Sequence, residues 1–229
     1  MFIALGVICS IIFGYLLGSI SNGVLVGKIF FGIDIRTMGS HNSGGTNTGR
    51  ILGKKFGLLV IVLDILKTMI SIWVTYFVIS NISVIKEALV IDPTYFAYIA
   101  GFASCIGHTF PCFFSFKGGK SVACLGGICL ATNWIIALIG ITLFILIVLI
   151  SKYVSLGSIL TSISIVFISL IPFTKYGMYF NMTYDIYYTL LLGVVALLLI
   201  IRHSSNIKRL IHGNENKTDL LKKKEKVNN

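Results

Sequence analysis

Three polar clusters interrupt a chain otherwise rich in Ile, Leu, Val and Phe, and each carries groups suited to holding phosphate. The first is "RTMGSHNSGGTNTGR", residues 36–50. Gly39, Gly44, Gly45 and Gly49 permit close backbone approach, so successive N–H groups can point into one concavity. Ser40, Asn42, Thr46 and Asn47 add side-chain donors, and Arg50 adds a fixed positive fork. A flexible polar connector would explain the glycines and serines but not donors closing on arginine; composition alone leaves both readings open. The second is "GHTFPCFFSFKGGKSVAC", residues 107–124, with Lys117 and Lys120 around Gly118 and Gly119 ahead of a predicted short helix. N–H groups at that helix start would hold an anion, and Lys120 would supply a mobile ammonium. A membrane-surface anchor would explain the lysines without the glycine pair. The GKS at 119–121 matches the end of a Walker A loop, but Phe114 stands where its leading glycine belongs and no strand precedes it.

The third cluster, "RHSSNIKRLIHGNENK" at 202–217, spaces Arg202, His203, Asn206 and Arg209 so that they share one helical face. A lone histidine at a membrane exit is as readily interfacial, so His203 matters only if the other loops converge on it. Inside an apolar run, Asp64 and Lys67 stand three residues apart and can pair on one helical face. Ionisable groups at that depth invite a functional reading; a neutralised pair that orients the helix near the site is the reading preferred here.

The elements that must position these groups are membrane helices. Of 229 residues, 56% are hydrophobic and 12% charged, and the mean hydropathy is +0.93, more apolar surface than one soluble core can bury. The net charge of +11 does not point to nucleic acid, because basic residues cluster beyond position 200 or lie scattered between apolar runs. The five cysteines show no CxxC or Cys/His ligand spacing, so neither disulfide nor metal site is expected. No basic residue precedes Lys28, so the start lacks the charged region of a signal peptide and reads as a retained first span over 2–30.

Apolar runs occupy roughly 2–31, 56–80, 94–114, 121–150, 156–172 and 186–201. The fourth would make a rod of about 45 Å against about 30 Å of hydrocarbon. A break near Thr132–Asn133 resolves this and predicts an all-α polytopic protein with seven transmembrane helices, one of them short. With the N-terminus outside, Arg36, Arg50, Lys54, Lys55, Lys117, Lys120, Lys152 and the C-terminal tail share the cytoplasmic face, leaving Lys86 and Lys175 opposite. Pro93, Pro111 and Pro172 fall near helix ends, where a missing N–H costs least. Residues 1–212 thus form one membrane domain, and 213–229 a polar, lysine-rich cytoplasmic tail with weak attraction to anionic lipid.

"GSHNSGGTNTGR", "GHTFPCFFSFKGGKSVAC" and "RHSSNIKRLIHGNE" together resemble, in order and spacing, the three signature loops of the PlsY family of bacterial acyl-phosphate:glycerol-3-phosphate acyltransferases. The similarity runs from the first span to about Glu215. It implies seven transmembrane helices with the N-terminus outside and an active site on the cytoplasmic side of the inner membrane. It further implies transfer of a fatty acyl group from acyl phosphate to the 1-hydroxyl of sn-glycerol 3-phosphate, giving lysophosphatidic acid and phosphate, without coenzyme A, cofactor or metal. By motif position Ser40, Asn42, Gly44, Thr46 and Asn47 would line the acyl-phosphate pocket. Arg50, Lys120, His203 and Asn206 would hold glycerol 3-phosphate and the developing charge, with Gly118, Gly119 and Ser155 as further binding positions. Four residues depart from the family pattern: His41 and Ser121 stand for usual glycines, Gly45 for alanine and Cys124 for threonine.

The residue types suit that chemistry. Acyl phosphate is already activated, so what remains is to bring two anions together and stabilise a tetrahedral oxyanion. The general base is His203 or a substrate phosphate oxygen. Two rivals stand beside this reading. A transporter of a phosphorylated metabolite would place its donors near the bilayer midplane, often in paired repeats, and no repeat is visible. An acyl-CoA enzyme of the His-x4-Asp kind would need an acidic residue five positions after a histidine, where Thr46, Phe113, Lys208 and Lys217 stand instead.

Overall fold

The structure is a computed structural model, and it describes residues 2–81 and 91–218. Lys86 and most of the lysine-rich tail lie outside the described residues. Among those described, ten α-helices and no strand are present: α1 Phe2–Gly18, α2 Asn22–Phe31, α3 Gly45–Leu52, α4 Lys54–Asn81, α5 Pro93–Thr109, α6 Val122–Thr132, α7 Trp134–Ser151, α8 Val154–Ile168, α9 Ile186–Arg202 and α10 Ser204–Ile211.

Among the described residues four stretches are long and apolar enough to cross a membrane: Phe2–Phe31, Lys54–Asn81, Pro93–Phe114 and Trp134–Ser151. α9 and α10 qualify as a fifth if taken together, bent by 60° at His203. α6 and α8, with 11 and 15 residues, are shorter apolar helices. Large apolar side chains face outward along the bundle, among them Leu58, Leu138, Ile150, Phe167 and Leu197. In water such a surface would be unstable, and against lipid tails it is the surface required.

The expected break in the fourth apolar run falls at Asn133. Its backbone is extended, its Oδ1 accepts from Ile136 N (3.1 Å) to cap α7, and its Nδ2 donates to Thr174 O (2.8 Å). Both ends of the buried amide are thereby satisfied at the turn.

α1 and α5 pack face to face through small residues. A β-carbon at Gly14 would lie 2.9 Å from Ala100 Cα, and one at Gly18 would lie 2.6 Å from Ser104 Cα. The spacing of those two glycines is the small-xxx-small pattern by which membrane helices bring their backbones together. The core between α4, α5, α6 and α9 is filled by Ile72, Tyr98, Ile128, Tyr188 and Leu192.

Asp64 and Lys67 do pair, at 3.0 Å, on the buried face of α4. Their network is larger than the sequence spacing implied. Asn22 Nδ2 donates to Asp64 Oδ1 (2.9 Å), Lys67 Nζ donates to Ile20 O (2.7 Å), and Lys67 Nζ lies 3.1 Å from His108 Nδ1. The charges thus tie α4 to the break between α1 and α2 and to the end of α5. Removing one partner of such a buried set would strand the other.

Candidate active site

At one end of the bundle a cavity of about 280 Å³ receives all three polar clusters. The first loop and α3 contribute Ser40, Asn42, Gly44, Thr46, Asn47 and Arg50; the loop before α6, Lys120; the start of α8, Ser155; the α9–α10 joint, His203 and Asn206; and the segment after α10, Glu215. The condition set for His203, convergence of the other loops on it, is met.

The first loop owes its shape to Asn47, buried on the first turn of α3. Its Oδ1 accepts from Ser40 N (2.8 Å), and its Nδ2 donates to the carbonyls of Ile35 (2.9 Å), Met38 (3.1 Å) and Asn42 (2.9 Å). The Asn47 amide is therefore consumed in holding the loop, so it organises the pocket instead of offering a free donor. Asn42 Oδ1 likewise accepts from Gly44 N (2.9 Å). Gly44, Gly45 and Thr46 bring the start of α3 to the cavity wall, where first-turn N–H groups have no acceptor within their own helix.

Arg36, at the other end of that loop, does not enter the cavity lining. It pairs with Asp34 (2.7 Å) and donates from Nη1 to Phe114 O (2.7 Å) and Lys117 O (3.0 Å). It clasps the second loop to the first and so fixes where Lys120 begins. Gly118 and Gly119 are also outside the lining of the cavity. Both are buried against the end of α5, and Gly119 N donates to His108 O (2.9 Å). A β-carbon at Gly118 would lie 2.8 Å from Thr109 O, and one at Gly119 would collide with the His108 ring. These glycines are required for the loop to lie on α5, and that places Lys120 over the cavity.

Lys120 Nζ donates to Asn206 Oδ1, Asn206 Nδ2 to Glu215 Oε1 (2.7 Å), Ser155 Oγ to the same Oε1 (3.1 Å), and Arg209 Nε to Glu215 Oε2 (2.7 Å). Glu215 is the residue that sequence spacing missed. It stands 60 residues from Ser155 and nine from Asn206, no helical repeat, and it arrives because the chain doubles back after α10 at Gly213 (φ 70°). Asn214 N bonds to Arg209 O (2.8 Å) and Thr218 N to Lys152 O (2.7 Å), which anchor the returning segment. Arg202, expected on the same face, instead stacks on the Phe110 ring at 5.4 Å.

Burial withdraws water from the Lys120 ammonium, and Arg209, Arg50 and Arg202 repel it against the attraction of Glu215; its pKa is pulled down to about 8. Burial and Lys120 together lower His203 to about 4, so at neutral pH the ring is uncharged. His203 Nδ1 lies 2.8 Å from Leu199 O; the neutral ring donates there and leaves Nε2 as an acceptor. Burial would raise Glu215, but hydrogen bonds from Asn206, Arg209 and Ser155 outweigh it and hold the carboxyl below its usual range. Burial also lowers the Arg50 guanidinium, which remains charged throughout the working range.

Two departures from the resembled pattern fall on special backbone. His41 has φ 55° and Ser121 φ 59°, the left-handed region where glycine is usual. Each is supported: His41 Nδ1 meets Arg36 O at 3.0 Å, while Ser121 Oγ donates to Cys105 O and pairs with Thr109 Oγ1, both at 2.8 Å. No group of three or more His, Cys, Asp or Glu able to hold a metal occurs among the described residues.

The glycerol-3-phosphate acyltransferase family model matches residues 8–213. A glycerol-3-phosphate acyltransferase of Fusobacterium nucleatum is 38% identical over 209 residues, covering 91% of this chain and 96% of the relative. One of Macrococcus caseolyticus is 41% identical over 212 residues, covering 93% and 97%. Crystal structures of PlsY (YgiH), an integral membrane glycerol 3-phosphate acyltransferase, superpose with TM-scores of 0.79 for the glycerol 3-phosphate form and 0.77 for the lysophosphatidic acid form. They share 35% and 34% identity with this chain, and each comparison covers 94% of it and 96% of the PlsY chain. The chain belongs to the glycerol-3-phosphate acyltransferase family of integral membrane proteins.

Proposed function

We propose that this protein transfers a fatty acyl group from acyl phosphate to the 1-hydroxyl of sn-glycerol 3-phosphate, releasing phosphate and leaving lysophosphatidic acid in the membrane. The observation that carries the reading is one cavity with a cationic, donor-rich mouth and an apolar floor running between α4, α6, α7 and α8. That pairing matches an anionic headgroup joined to an alkyl chain. Arg50 and Lys120 hold the two phosphates side by side, and Asn206, fixed by Glu215, sets the direction of the Lys120 ammonium. The start of α3, with Ser40, Asn42, Gly44 and Thr46, seats the acyl phosphate; Ser155 and Asn206 border the acceptor.

The acceptor hydroxyl attacks the acyl carbonyl, the carbonyl oxygen gains negative charge, and the C–O bond to phosphate breaks as the tetrahedral centre collapses. Lys120 and Arg50 stabilise that charge without moving, the preorganised arrangement that lowers such barriers most. The hydroxyl proton passes to His203 Nε2 or to a phosphate oxygen. The low basicity of the free ring favours the phosphate until bound anions raise it. Neither a cofactor nor a metal enters a step.

All seven expected helices cross the inner membrane in this reading, the short α6 among them, and the site and the loop before α6 face the cytoplasm. Arg50 and Lys120 in the cavity lining, with Arg36 bonded to the Lys117 carbonyl in the loop that leads to Lys120, support that orientation. Maleimide labelling of Lys117→Cys from the cytoplasmic side alone tests it; labelling from the outside reverses it.

Purified protein should release phosphate from palmitoyl phosphate only when glycerol 3-phosphate is present. Uptake of a sugar phosphate by proteoliposomes without such release would favour transport instead.

A further inference from the structure

Beyond the polar mouth the cavity continues along α6, α7 and α8 to Cys129, Ile136 and Ile165. On α8 its wall runs from Ser155 to Ile165, about 15 Å of helix at 1.5 Å per residue. On α6 the wall is the face formed by Val122, Leu125, Gly126 and Cys129. Gly126 differs from the other glycines of this wall. A β-carbon placed on it would meet no atom within 4 Å, whereas one on Gly140 would lie 3.2 Å from Ile165 Cγ2. The neighbouring Gly127 is a packing glycine, with Ile65 O 2.7 Å from its would-be β-carbon. Gly126 therefore faces the open groove, about 6 Å along α6 from its start at Val122.

We propose that Gly126 sets the length of acyl chain the enzyme accepts, by leaving the deep part of the groove empty; the inference rests on the acyltransferase reading above. A side chain at this position would fill the space leading to Cys129, Ile136 and Ile165. The far end of a long acyl chain then loses its place, and each methylene denied burial weakens the donor about fourfold. Shorter chains reach less far past Gly126 and lose correspondingly less. Glycerol 3-phosphate, seated at the mouth, is unaffected.

The test compares wild type with Gly126→Leu, using decanoyl, lauroyl, palmitoyl and stearoyl phosphate at saturating glycerol 3-phosphate. Expected is a fall of at least about tenfold in kcat/KM for palmitoyl and stearoyl relative to decanoyl phosphate, with KM for glycerol 3-phosphate unchanged. A chain-length profile parallel to that of wild type would overturn the inference. Should leucine impair insertion, Gly126→Ala, whose methyl enters open space, makes the same comparison; a smaller shift in the same direction is expected, and an unchanged ratio overturns it. Wild-type protein inert with every acyl phosphate would overturn the proposed function and this inference with it, so the two failures are told apart by the wild type.

Discussion

Replacing Glu215 by glutamine keeps the shape of the side chain and removes the charge that binds the returning segment to the site. The carboxylate accepts from Asn206 and Ser155 on Oε1 and from Arg209 on Oε2. Glutamine has one carbonyl oxygen. With that oxygen toward Asn206 and Ser155, its amide meets the Arg209 N–H donor to donor. One charge-assisted hydrogen bond is lost, worth about 1.5–3 kcal/mol when buried. The Arg209 side chain is 35% exposed, so solvent screening brings the loss to about 1 kcal/mol, which is about fivefold in kcat/KM. Glu215→Ala removes all three bonds and leaves the Asn206 amide without an acceptor, a loss of about 3 kcal/mol or about a hundredfold. A second readout is independent of size. Glu215 supports the protonated form of Lys120, so in Glu215→Gln the alkaline decline in rate should begin at lower pH. Initial rates of lysophosphatidic acid formation across neutral and alkaline pH measure both effects. Glu215→Ala within about threefold of wild type, together with an unmoved decline in Glu215→Gln, would refute the reasoning.

Lys120→Ala and Arg50→Ala should each lower turnover by at least about a hundredfold through lost transition-state charge stabilisation, with expression and membrane insertion intact; near-normal rates in either variant remove that residue from the site. With Lys120 at about 8 and active when protonated, kcat/KM should hold below that pH and fall as pH rises through it; Lys120→Arg should carry the decline upward. His41→Gly relieves a left-handed φ at an exposed position but gives up the contact with Arg36 O, so stability in detergent should change by no more than about 1 kcal/mol. Ser121→Gly removes two buried hydrogen bonds and should lower it, so equal shifts for the two variants would contradict the backbone argument.

The three clusters were legible because each combines glycine with donors and cations in a chain that otherwise avoids all of them, and they do meet at one cavity. The break at Asn133 was legible from length alone, and the Asp64–Lys67 pair from helical spacing. What the spacing could not carry was the division of labour among polar groups. Asn47 reads as a ligand until its amide is seen to hold four backbone partners. Gly118 and Gly119 read as an anion cradle, and their packing against the end of α5 was not legible. Arg36 and Arg50 look equivalent at the two ends of one loop, yet one clasps the second loop and the other faces the cavity. Glu215 escaped because its position depends on the bend at His203 and the turn at Gly213, long-range consequences with no local period. His41 and Ser121 show that a departure from glycine is accommodated by a side chain that makes up the backbone cost through hydrogen bonds.

The central claim is that one cavity seats an acyl phosphate and glycerol 3-phosphate together and joins them directly. Purified enzyme given labelled glycerol 3-phosphate with either palmitoyl phosphate or palmitoyl-CoA as sole donor tests it most directly. Labelled lysophosphatidic acid should form with palmitoyl phosphate, matched by released phosphate, and not with the thioester; turnover with palmitoyl-CoA alone, or none with palmitoyl phosphate, would contradict it.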